Sequence, residues 1–99
     1  MSYRDTLAEH IRICLLRLLE EASDYEQNNS ILSDGTALFG LRATRDMVNT
    51  ELAWLAEQGL ITLNKITATI SIARLTNRGL DVATGRAHCP GVKRRGPED

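Results

Sequence analysis

The stretch Thr44 to Gly79, TRDMVNTELAWLAEQGLITLNKITATISIARLTNRG, decides the fold. Val48, Leu52 and Leu55 recur at spacings of three and four and form the inner face of an amphipathic helix. Arg45, Asp46, Asn49, Thr50 and Ala53 fall on its outer face. Thr44 supplies an N-cap, and Asp46 puts an acid in the first turn, where it complements the helix dipole. Gly59 followed by apolar Leu60 is a Schellman-like stop, so this helix runs to about Gln58. Leu60 to Leu63, then Ala68, Ile70 and Ile72 alternating with Thr67, Thr69 and Ser71, predict a two-stranded ribbon that turns around Asn64 to Ile66. Thr76 caps a last helix containing Leu80, Val82 and Ala83 and stopping at Gly85. Helix, glycine stop, hairpin and helix in so short a chain predict a winged helix-turn-helix of the α+β class. The helix over 44–58 would be its recognition helix and the ribbon its wing.

Upstream, Ser2 and Asp5 form an acidic variant of the capping box, and Leu7, Ile11, Cys14, Leu15, Leu18, Leu19 and Ala22 follow with helical spacing. A helix from about Tyr3 to Ala22 is expected. Ile13 and Leu16 lie outside its stripe, which leaves more apolar surface than one small partner helix covers. Either a homodimer forms through this helix and the last one, or the C-terminal helix and tail fold back over these positions. Asp24 to Ser30 is polar and asparagine-rich and reads as a loop. Ile31, Leu32, Leu38 and Phe39 mark a shorter second helix, weakened by Gly35 and ending near Gly40. Leu41-Arg42-Ala43 fits the turn of the motif or a one-bridge strand. Residues 1–85 form the folded domain, and 86–99, with Pro90, Gly91, Gly96 and Pro97 and no apolar period, form a basic, flexible tail.

Ninety-nine residues make one domain at most, and 42% hydrophobic residues suffice for a modest core without metal or disulfide staples. Cys14 in an apolar helix and Cys89 in a Pro/Gly segment read as free thiols in a reducing cytoplasm. The polar N-terminus lacks the apolar core of a signal peptide. Arg17 interrupts the apolar run Ile13 to Leu19, which is far short of the ~20 residues a membrane span needs.

Three blocks, ELAWLAEQGLI (51–61), LTNRGLDVA (75–83) and PGVKR (90–94), resemble a family of small proteins encoded in Mu-like prophages. The resemblance covers nearly the whole chain. It implies a phage origin and a winged-helix fold, since such proteins are described as winged-helix and sometimes labelled ArsR-like regulators. The cysteine pair of the ArsR metal box is absent from Thr44 to Gln58.

In a winged helix the third helix enters the major groove and the wing reaches for phosphate or the minor groove. That nominates Thr44, Arg45, Asn49 and Thr50 for base edges, with Arg42 and Lys65 for the backbone. Arg offers a fork to guanine, and Asn can pair with adenine. Charge argues the other way. Residues 1–85 hold 8 basic and 11 acidic residues, net −3, and Asp46, Glu51 and Glu57 share the recognition helix. The tail, with Arg86, Lys93, Arg94 and Arg95 against Glu98 and Asp99, is net +2. It is either a phosphate-tracking arm or a solubilising end. His10 with Cys14, and His88 with Cys89, could assemble a zinc site only if the tail folded back onto the first helix, and they lack any metal-family spacing, so no metal and no cofactor is expected. Trp54 reads as core or interface packing. No nucleophile triad, phosphate loop or carboxylate pair suggests an enzyme. The sequence therefore predicts a phage-encoded DNA-binding regulator, dimeric, with two recognition helices spaced about 34 Å apart. The alternative is a phage interaction or assembly module on the same fold.

Overall fold

A computed structural model describes residues 2–94. The chain runs α1 (Tyr3–Glu21), a short 3-10 turn (Ser23–Tyr25), β1 (Glu26–Asn28), α2 (Asn29–Leu38), α3 (Arg45–Glu57), β2 (Ile61–Lys65), β3 (Ser71–Leu75) and α4 (Asn77–Ala83). Three strands form one antiparallel sheet in the order β1-β3-β2, making an α+β architecture.

Each helix begins where a side chain satisfies its free amides. Ser2 and Asp5 close a reciprocal capping box on α1, and Asn28 Oδ1 accepts from Ile31 N at 2.8 Å at the start of α2. Thr44 Oγ1 accepts from Met47 N on α3, and Thr76 Oγ1 from Gly79 N on α4. Leu15, Leu16 and Leu19 of α1 pack with Leu32, Val48, Leu52, Leu55 and Leu60 in one core.

Some expectations need correction. Asp24 to Ser30 is not simply a loop. Asp24 and Tyr25 adopt left-handed φ values of 56° and 60°, which turn the chain out of α1 into β1. Glu26, Gln27 and Asn28 then pair with Arg74, Ala73 and Ile72. Of the two arrangements expected for Leu41 to Ala43, the structure has the turn between α2 and α3 and no strand. The hairpin turns later than Asn64 to Ile66: Lys65 still pairs with Ser71, and Thr67 Oγ1 accepts from Thr69 N and Ile70 N to close the loop.

For the surplus on α1, a dimer contact and a fold-back of the chain were both open, and the structure has the fold-back. Ile13 and Leu16 are 8% and 0% exposed, in the same cluster as Val82, Ala83, Cys89 and Val92. The chain folds back over them, so the apolar patch that would have carried a dimer through α1 and α4 is used internally. The segment after Gly85 is packed at least to Val92, where a flexible tail was expected. Arg95, with the rest of 95–99, lies outside the described residues.

Two glycines mark close approaches. A Cβ on Gly79 would run into the Leu60 carbonyl oxygen, so only glycine lets α4 sit against the entry to β2. Gly91, at φ +96°, lies against the Trp54 ring, where a Cβ would come within 2.7 Å of Cζ2.

Candidate nucleic-acid interface

Two buried polar side chains fix α3. Thr36 is fully buried at the end of α2. Its hydroxyl donates to Ser33 O at 2.7 Å and accepts from Ala43 N at 3.2 Å, which sets the turn that leads to Thr44. Asn29, 1% exposed, follows β1 directly and ties three elements together. Its Nδ2 donates to Asn49 Oδ1 on α3 at 2.8 Å and to Thr69 O in the hairpin at 3.0 Å, and its Oδ1 accepts from Ser71 N at 3.2 Å. Asn28 pairs with Ile72, so Ser71 is the next rung along β3. The Asn29 side chain supplies the ladder bond that the backbone gives up on turning into α2.

Arg45 and Asn49, four residues apart, stack on the flank of α3 that faces the hairpin, and both are exposed. Thr44 caps the same end, and exposed Arg42, at φ +47°, precedes it in the turn. Lys65, exposed, ends β2 opposite Ser71 and so joins this group through the Asn29 clamp. Asn49 keeps its own Nδ2 donors, while its Oδ1 is already bonded. That limits the two-point adenine pairing its residue type suggested.

The remaining nominated residues lie elsewhere. Thr50 lines a groove of about 520 Å³ with Tyr3, Leu7, Ile11 and Met47, between α3 and the start of α1. Lys93 and Arg94 flank a separate cavity beside the end of α4. They follow Gly91, which contacts Trp54, about 140° around α3 from Asn49 at ~100° per residue. The outermost stripe of α3 carries Asp46 and Glu57, and the hairpin exposes Leu63 and Ile66 at 38% and 56%. Arg42, Arg45 and Lys65 are thus the cations of this face.

Arg12 is a third node that sequence reasoning passed over. Its Nε donates to Glu51 Oε1 at 2.7 Å and its Nη1 to Gly91 O at 2.8 Å, with the guanidinium 3.9 Å from the Trp54 ring centroid. It joins α1, α3 and the C-terminal segment, and gives Trp54 a packing role. Asn29 and Thr36 were missed as well. An asparagine in a polar run and a threonine in a helix carry no signal of burial until the sheet edge beside them is known.

Cys14 and Cys89 are free and buried. Burial pushes the Cys14 thiol from 9.0 up to about 11, with Arg17 pulling slightly the other way. Among the described residues, no three His, Cys, Asp or Glu side chains converge on a common point. No helix among them is long and apolar enough to cross a membrane.

No protein-family model and no solved structure matches the chain. An uncharacterized protein of Haemophilus influenzae (strain Rd) is 37% identical over 97 residues, covering 98% of this chain and 92% of the relative. The uncharacterized protein gp26 of Escherichia phage Mu is 42% identical over 93 residues, covering 94% and 95%. Neither is described as winged-helix or ArsR-like. Likeness over nearly the full length of both places the chain in the family of Mu-like phage and prophage proteins to which gp26 of phage Mu belongs.

Proposed function

We propose that this chain is a winged helix-turn-helix protein that acts in the bacterial cytoplasm as a phage-encoded transcriptional regulator. In this reading α3 and the β2–β3 hairpin bind double-stranded DNA, and the protein is not an enzyme. The observation that carries the reading is the Asn29 clamp, which binds Asn49 of α3 and the loop end of the hairpin into one unit beside Arg45 and Lys65. The element order α1-β1-α2-α3-β2-β3 and the sheet order β1-β3-β2 support it, with α2 and α3 as the helix-turn-helix.

Each group then has a task. Arg45 offers its planar fork to guanine O6 and N7, and the Asn49 Nδ2 donates to an acceptor on a neighbouring base. Thr44 at the α3 N-terminus, Arg42 and Lys65 hold phosphates. Two or three phosphate contacts per chain give a salt slope of about −2 to −3 and modest affinity. A dimer on a two-fold site would double that slope, and it needs a surface other than the buried Ile13 and Leu16.

Fluorescence anisotropy with duplex fragments flanking the gene, at low and near-physiological salt, tests the proposal. Tight binding to one fragment that weakens steeply with salt is expected. Equal weak binding to all fragments, or none, refutes it. One observation favours a second reading, a phage adaptor without DNA contact: the apolar groove between α1 and α3, lined by Tyr3, Leu7 and Met47.

A further inference from the structure

We propose that the turn after α4 and the folded C-terminal segment form a phosphate-binding site distinct from α3. Arg86, His88, Lys93 and Arg94 surround a cavity of about 280 Å³ floored by Val82 and Gly85.

The first support is that the segment is held in place. Cys89 and Val92 are each 2% exposed, Arg12 Nη1 donates to Gly91 O, and Lys93 N donates to Glu9 O at 3.3 Å. The cations therefore stand on a fixed backbone frame, and binding has only their side chains to order.

The second is that the carbonyls of Leu80, Asp81 and Val82 at the helix end do not need them. Cations after a helix commonly serve its free carbonyls. Here Gly85 N donates to Val82 O, Arg86 N and Ala87 N donate to Asp81 O, and the Thr84 hydroxyl donates to Leu80 O. The carbonyls of Leu80, Asp81 and Val82 are thus met by backbone amides and one hydroxyl.

The third is electrostatic. Among the described residues no carboxylate lines the cavity, and Arg86, Lys93 and Arg94 have no carboxylate partner there. Three exposed cations collected around one cavity, with no carboxylate among the described residues lining it, give that cavity a positive potential that favours an anion. Two guanidinium forks can each pair bidentately with the oxygens of a phosphate group.

A nucleic-acid backbone and a free phosphate ester present the same group, and the test separates them. Inorganic phosphate is titrated into the full-length ¹⁵N-labelled protein, with chloride at equal ionic strength as the control. Saturable amide shifts are expected at Arg86, His88, Lys93 and Arg94. The variant R86Q/K93Q/R94Q should keep the parent melting temperature and weaken the effect at least about tenfold. If a short DNA duplex shifts the same amides at lower concentration, and salt reverses it, the source is a nucleic-acid backbone. Response to phosphate alone assigns the site to a free phosphate ester. R45A should leave the phosphate titration unchanged, so failure of the α3 reading and failure of this site are separate results. Shifts that do not saturate, or that survive in the triple variant, overturn the proposal.

Discussion

Replacing Asn29 with Ala removes the clamp without touching an exposed DNA-facing atom. Three hydrogen bonds are lost, at 2.8, 3.0 and 3.2 Å. Asn49 and Thr69 are exposed and can turn to water, so their bonds cost about 1 kcal/mol each. Ser71 N–H, half-buried beyond the end of β1, has no replacement partner and adds about 1–3 kcal/mol. The sum, about 3–5 kcal/mol, is a large share of the 5–15 kcal/mol typical of a domain. At roughly 4–8 °C per kcal/mol the melting temperature should fall by more than about 10 °C. Urea unfolding followed by circular dichroism measures the loss, and hydrogen exchange locates it: Ser71 and the hairpin should lose protection before α1 does. Asn29→Asp should also destabilise, because a carboxylate accepts from Ser71 and from a turned Asn49 amide but is a buried charge that has no donor for Thr69 O. A loss under about 0.5 kcal/mol, with unchanged exchange at Ser71, would refute the claim that this side chain holds the hairpin to α3.

Other outcomes follow from single contacts. Gly79→Ala should cost about 3 kcal/mol or more in denaturant unfolding, because the new methyl meets backbone at Leu60 rather than a side chain that can move. Arg12→Lys keeps the charge but loses the bond to Gly91 O and the stacking on Trp54. Limited proteolysis should then cut within 86–94 at protease levels that spare the parent. The Cys14 thiol binds its proton more tightly folded, at about 11, than unfolded, at 9.0. Its contribution is complete below pH 9 and fades as pH rises towards 11. Cys14→Ala should flatten that alkaline decline in melting temperature, and an equal decline in the variant would assign it to other groups.

What the sequence made legible is what repeats or caps. The spacing of Val48, Leu52 and Leu55, the cap at Thr44 and the glycine stop at Gly59 locate α3 within a residue, and Ser2 with Asp5 does the same for α1. What stayed hidden depends on partners distant in the chain. β1 is three polar residues paired through backbone alone, so no alternation announces it. The hairpin turns late because the Thr67 hydroxyl captures two following amides, a choice that strand propensity does not register. The C-terminal segment holds one valine between Gly91 and Lys93, too little for a period, yet Val92 fills the core beside α1. Of the nominated interface, Thr44, Arg45 and Asn49 cluster as helical geometry requires. Thr50, Lys93 and Arg94 do not, because the groove and the folded segment that take them up depend on tertiary packing.

Amide chemical-shift mapping of the full chain with a duplex from the region flanking its gene locates any DNA contact residue by residue. Shifts concentrated at Thr44 to Asn49 and from Lys65 to Thr69, lost in an Arg45→Ala, Lys65→Ala variant that still folds, are the predicted result. Shifts confined to the groove of Tyr3, Leu7 and Met47, or none at any duplex concentration, would contradict DNA recognition by α3 and the hairpin.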